Sequence, residues 1–186
     1  KAGADVVLFS GDKLLGGPQG GIIIGKKKYI DLMKKHPLAR VMRIDKMTAA
    51  AMEAVFRTYY DEGKAKLEIP ALAMLTKPRE ILYEEAQRLK DTIDDLQLGF
   101  ITEIEETEGV VGGGSAPGSI LPGYGVGLKH ELFSASHLEE ALRQGMLPIV
   151  VKTRKEHLII DVRTVEVQEH ELIADKLALI VGESRK

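Results

Sequence analysis

Cysteine is absent from all 186 residues, which excludes disulfides, thiol nucleophiles and cysteine-ligated metal centres. No run is apolar and long enough to read as a signal peptide or a membrane span, so the expectation is a cytoplasmic protein with no membrane contact. A strong excess of either charge is also missing. The 26 Lys or Arg and 28 Asp or Glu leave a formal net charge of −2, which argues against a generally basic nucleic-acid surface. Short basic runs at Lys26-Lys27-Lys28 and Lys34-Lys35 read as the solvated face of a helix, and any contact with RNA would be local. The five histidines, His36, His130, His137, His157 and His170, have no spacing that suggests a metal site.

What is present is a chain that is 44% hydrophobic, enough to fill a real core over one to two domains. It opens at Lys1 and enters an apolar run almost at once, as expected of a C-terminal piece of a longer protein. Residues 28–35 read as a short helix that stops before His36-Pro37, because the residue before proline avoids helical angles. Thr48 reads as the N-cap of a helix with Met52, Val55, Phe56 and Tyr59 on one face, ended by Gly63. Residues 69–75 read as an extended connector. Thr76 opens a further helix on which Leu82, Ala86, Leu89, Ile93 and Leu96 form a buried stripe. Beyond Phe100 come strands at 100–105 and 123–128 around a glycine loop, then a helix with a Ser136/Glu139 capping box. A hairpin turning at Arg154-Lys155-Glu156 follows, and a last helix carries Leu172, Ile173, Leu177 and Ile180. The expected division is residues 1–62 and residues 63–186, the second a small α+β domain.

One lysine stands out. An apolar strand, Val6-Val7-Leu8-Phe9, runs into Ser10-Gly11-Asp12-Lys13, and a Gly/Pro hinge then leads to a second apolar strand at Ile22-Ile23-Ile24. A lysine on such a rigid edge, buried in a cavity, suits imine chemistry with an aldehyde cofactor. Glycines at 16, 17, 20 and 21 allow close approach of the backbone to a ring or phosphate. On spacing alone, an exposed lysine among turn glycines is the commoner arrangement. Ser10 and Lys13 also form the Ser-x-x-Lys of penicillin-recognising hydrolases. The chain has no asparagine for their Ser-Asp-Asn element, and Lys152-Thr153-Arg154 lacks the glycine of their Lys-Thr-Gly strand.

The block Ser10 to Gln19, with His36-Pro-Leu-Ala-Arg40-Val-Met-Arg43-Ile-Asp-Lys46-Met-Thr48 after it, resembles the bacterial selenocysteine synthases, the L-seryl-tRNA(Sec) selenium transferases. Further matches are Ile69-Pro70, Met74-Leu75-Thr76, Gly112 to Ser115 and Asp161 to Val165, so the likeness runs along nearly the whole chain. It implies an α/β fold: the C-terminal end of an aspartate-aminotransferase-like (fold type I) large domain, followed by a small α+β domain. It also implies a homo-oligomeric enzyme that uses pyridoxal 5'-phosphate and selenophosphate to turn seryl-tRNA(Sec) into selenocysteinyl-tRNA(Sec), by β-elimination to an aminoacrylate and selenium addition. Lys13 is then the Schiff-base lysine. Ser10, Asp12 and Gln19 border the cofactor, and Arg40 and Arg43 bind the selenium donor as an anion pair that shares a face if the segment is helical. The chain departs from the family pattern at Ala73 and at Ala116-Pro117.

Two other functions fit the same residues. A related pyridoxal-phosphate lyase acting on a small amino acid or amino sugar phosphate would keep the lysine loop and lose the tRNA. The chain by itself would equally suit a non-catalytic assembly domain, because in this fold the groups that cup the cofactor phosphate and pair with its ring lie outside it.

Overall fold

The computed structural model describes residues 3–112, 116 and 118–183. The chain is a mixed α/β protein that divides into two compact units. One runs through Thr76; the other takes Lys77–Val111 and the chain from Ala116 onward. The break falls at Thr76 rather than after residue 62, because Ala65 and Ile69 are buried within the first unit.

The first unit opens with an antiparallel hairpin, β1 (Val6–Ser10) and β2 (Gly21–Gly25), in which Val6 faces Gly25 and Ser10 faces Gly21. The two strands pair only with each other among the described residues. Five helices follow: α1 (Lys27–Lys35), α2 (Pro37–Val41), α3 (Lys46–Thr58), α4 (Glu62–Glu68) and α5 (Pro70–Thr76). His36 joins the first two. Its Nδ1 accepts from the Leu38 N–H at 3.3 Å, and Pro37 sits at the first helical position, where no N–H is needed.

Three local expectations change here. Asp45, not Thr48, caps α3, accepting from the Met47 and Thr48 N–H groups at 2.7 and 3.0 Å, and the Thr48 hydroxyl donates to the same carboxylate. A carboxylate one turn earlier meets the free helix donors better than a hydroxyl does. Gly63 lies inside α4, which Asp61 caps by accepting from the Lys64 N–H. Residues 70–76 are helical, not extended. Ile69 takes the extended angles demanded before proline, and Pro70 then starts a new helix without losing a hydrogen bond.

The second unit contains α6 (Arg79–Asp94), β3 (Phe100–Val110), β4 (Ile120–His130), α7 (Ala135–Arg143), β5 (Lys152–Arg154), β6 (His157–Asp161) and α8 (His170–Glu183). Its sheet is wholly antiparallel, in the order β3-β4-β6-β5. The β3–β4 hairpin is longer than the sequence suggested. The Ser134 hydroxyl, not Ser136, caps α7, and Glu139 turns instead to Arg143 and Thr153. Leu82, Ala86, Leu89 and Ile93 form the expected stripe of α6, while Leu96 lies beyond the helix end at Asp94 and is only partly buried. They pack with Val126, Leu128, Leu158 and Ile160 of the sheet and with Leu138, Leu142, Ile173 and Leu177 of the last two helices. Alternation along β4 and β6 sends these side chains to one face.

Nearly all fully buried apolar residues belong to this second unit. Met52, Ala65 and Ile69 are the first unit's share, while Leu8 and Ile24 of its hairpin stay 68% and 54% exposed. Beside the α6 stripe, Lys77 Nζ bridges both oxygens of buried Glu85 at 2.9 and 3.1 Å. His170, at the start of α8, is 4% exposed, and its Nε2 has no hydrogen-bond partner. Burial holds its pKa below the ordinary imidazole value, opposed by Glu85 and Glu169 and aided by Arg88 and Lys77.

A histidine with a lowered folded pKa binds fewer protons folded than unfolded, so its contribution is full above the ordinary value and is lost as the pH falls below it. His170→Gln should therefore flatten the fall in thermal midpoint between about pH 7.5 and about pH 5.5. Equal slopes in variant and wild type would show that His170 does not titrate in this range.

Candidate active site: a lysine on a glycine-locked turn

The loop that carries Lys13 is closed by its own backbone. Gly11 N–H donates to Gly20 O and Gly17 N–H to Gly11 O, both at 2.8 Å, while Gly16 N–H donates to Lys13 O at 2.9 Å. It rests on α3 through Met52, and the Tyr59 hydroxyl donates to Leu15 O at 3.1 Å. Glycine is required at two places. A Cβ on Gly11 would stand 2.7 Å from Pro18 O, a backbone atom that cannot step aside, and would strike the Met52 methyl. Gly16 has φ +72°, and a Cβ there would stand 2.5 Å from a methyl of Ile69.

On this loop Ser10, Asp12 and Lys13 come together. Ser10 donates to one oxygen of Asp12, and Lys13 Nζ lies 2.9 Å from the other. The Ser10 hydrogen bond and, after it, the Lys13 hydrogen bond pull the Asp12 carboxyl down to about 2, so it stays ionised throughout the physiological range. The Lys13 side chain is 47% exposed. The expected burial is therefore not found: the amine is held by a carboxylate at the surface of this chain. Gln19 is exposed and makes no side-chain hydrogen bond among the described residues.

Arg40 and Arg43 do not share a helix face. Arg40 is on α2, which ends at Val41. Arg43 lies in the link to α3 and lines a cavity of about 530 Å³ with Ile44, Asp45, Lys46 and Ala49. Both arginines are exposed, and neither has an ion-pair partner among the described residues. Of the glycine loop, Gly113, Gly114 and Ser115 lie outside the described residues.

The sequence reading missed a charged cluster on the second unit. On the sheet face away from the helices, Glu105 sits 2.6 Å from His157 Nε2 and 3.5 Å from Arg154, beside a cavity of about 830 Å³. Gly123, Gly125 and Gly127 floor this face, and a Cβ on Gly125 would meet Ile160 O at 2.7 Å. Glycine on every second residue of one strand was the available signal. Asp161 accepts from the Arg163 N–H and pairs with Lys152 at 2.6 Å, while the Arg163 guanidinium donates to Pro122 O.

The fold is that of a solved D-glucosaminate-6-phosphate ammonia-lyase, with a TM-score of 0.57 and 21% identity, covering 99% of this chain and 45% of that one. At that identity the likeness is one of fold alone. The family is shown by sequence: residues 1–166 match the L-seryl-tRNA selenium transferase (SelA) family model, and the chain belongs to that family. An L-seryl-tRNA(Sec) selenium transferase of Clostridium botulinum strain Hall is 45% identical over 94% of this chain and 38% of its own length. Those of Alkaliphilus oremlandii and Alkaliphilus metalliredigens are 45% and 43% identical over 92% and 97% of this chain. The chain spans 37% of the first and 38% of the second, so it covers less than half the length of these relatives.

Gly11→Ala should lower the stability of the first unit by about 1–3 kcal/mol, the usual cost of overpacking. Gly21→Ala, where a Cβ meets nothing within 4 Å, should be tolerated. Thermal melts of the two variants side by side test this, and equal midpoints would count against the locked turn.

Proposed function

We propose that this chain supplies the cofactor lysine and the selenium-donor site of a full-length selenium transferase, which converts seryl-tRNA(Sec) to selenocysteinyl-tRNA(Sec) with selenophosphate. Family membership supports the reading. The single structural observation behind it is the Lys13 amine presented on a glycine-locked turn beside an ionised carboxylate. On this reading the first unit ends an aspartate-aminotransferase-like large domain and the second is the small α+β domain. The enzyme would work as a cytoplasmic homo-oligomer.

Pyridoxal 5'-phosphate fits the residues present, because the Lys13 amine is accessible and, among the described residues, only Asp12 holds it. When bound, the cofactor supplies the electron sink that makes the α-proton and β-hydroxyl of a seryl group labile. Lys13 Nζ would hold the cofactor's aldehyde carbon and, once freed, take the α-proton. Asp12 orients Nζ, and Ser10 orients Asp12 by donating to its other oxygen. Gln19 would border the cofactor. Arg40 and Arg43 would take the donor's phosphate through charge-assisted hydrogen bonds, for which exposed guanidinium groups without carboxylate partners are suited. The rival reading, a lyase of a small amino acid or amino sugar phosphate, shares Lys13 but needs neither tRNA nor these arginines.

Two measurements on the full-length enzyme test the assignment. Borohydride reduction should leave a stable cofactor adduct on the peptide that contains Lys13, and Lys13→Ala should abolish both adduct and turnover. An adduct on another lysine would overturn it. Arg40→Ala and Arg43→Ala should each raise the selenophosphate requirement roughly tenfold to a hundredfold while the adduct still forms. An unchanged requirement in both would remove the donor-site role and favour the lyase.

A further inference from the structure

Residues 26–46 contain eight Lys or Arg and only two acids, Asp31 and Asp45. That is a surplus of six positive charges in a chain whose overall charge is −2. Helical geometry gathers half of them. At 100° per residue, Lys27, Lys28, Lys34 and Lys35 of α1 fall within an arc of about 120°, with Asp31 among them. The opposite face carries Ile30 and Met33, which line an apolar cavity with Ile23, Leu38 and Met42. Lys27, Lys28 and Lys35 are absent from the lining of that cavity, and Lys34 stands at its edge.

Pairing sets this segment apart. From Arg57 to Arg154 every Lys and Arg except Lys129 has an ion-pair partner. Among the described residues Lys28, Lys34, Lys35, Arg40, Arg43 and Lys46, successive cations along the chain, have none. Within α1 only Lys27 is neutralised, by Asp31. The helix dipole accounts for Lys34 and Lys35 in the last turn. It does not account for Lys27 and Lys28 in the first, where a cation is disfavoured and the turn itself holds no acid, leaving Lys28 without an offset. A row of exposed, uncompensated cations that costs its own helix stability is what a polyanion contact requires.

Resting on the function proposed above, we propose that the lysine face of α1 is a contact surface for the phosphate backbone of the tRNA substrate. From Lys27 to Lys35 the face is roughly 12 Å long, the reach of a few successive phosphates along one strand. A single residue, His36, separates it from the helix bearing Arg40. The tRNA surface and the anion site thus follow one another along the chain. Lysines of this kind read charge and not bases, so the surface contributes affinity and not tRNA identity.

The test is a titration of an unacylated tRNA transcript against a full-length enzyme carrying this chain, at several salt concentrations. The triple variant K28Q/K34Q/K35Q should bind roughly tenfold or more weakly, with the salt slope shallower by about 2–3, close to one for each lysine–phosphate pair removed. Lys129→Gln, which removes an unpaired lysine of the second unit, should change neither. Asp31→Asn should tighten binding a few-fold by releasing Lys27. Unchanged affinity and slope in the triple variant would overturn the proposal, as would an equally weakened Lys129→Gln. A wild-type enzyme that bound tRNA with the expected slope yet transferred no selenium would overturn the proposed function and leave this surface standing.

Discussion

The close approach of one backbone loop to one helix is the constraint on which the candidate site depends. Residues 11–20 fold back on themselves and lie against Met52 of α3 and Tyr59 just past its end, at a separation that leaves no room for a Cβ on Gly11. With the loop tied to a helix, the residues between its glycines lose most of their freedom before any ligand arrives. Under the proposed function, Lys13 would therefore meet a reaction partner from a fixed base, with the entropy of positioning that base spent during folding. Ser10 and Asp12 extend this order to the side chains, since each holds the next.

The two units are stabilised differently. The second has a conventional core, helices over one face of an antiparallel sheet, and even its buried polar groups are arranged around α6. The Lys77–Glu85 bridge lies there with both charges compensated, and His170 beside it is kept neutral by burial. The first unit has few fully buried side chains and much exposed apolar surface on its hairpin. Its order comes from glycine packing, helix caps and backbone hydrogen bonds. Capping by Asp45 and Asp61 does for α3 and α4 what core burial does for α6.

Charge divides the chain at a different place, inside the first unit. On α4, α6 and α7 acids and bases recur four residues apart and neutralise one another, which keeps those helices soluble at little electrostatic cost. Residues 28–46 leave their cations uncompensated beside the segment that carries the candidate anion-binding arginines. The near-zero net charge of the whole chain hides this local field.

Much of this was legible in the sequence. The period of four and three along α6 determined which of its faces is buried, because helix geometry admits one such stripe. The adjacency of Ser10, Asp12 and Lys13 brought their side chains within reach, because residues that close on a turn need no fold to meet. The lysine-loop and arginine blocks pointed to the family. Tertiary structure decided what depends on distant partners. Helix starts moved to Asp45 and Ser134 because capping turns on which side chain reaches the free N–H groups. The connector expected at 69–75 became helical from Pro70 onward because proline can open a helix as readily as it can end one. Arg40 and Arg43 fell on different elements because α2 stops at Val41. Glu105 met His157 and Arg154 only through strand pairing across the sheet. The exposure of Lys13 was decided in the same way, since burial is a property of everything packed around a side chain and no local run of residues contains it.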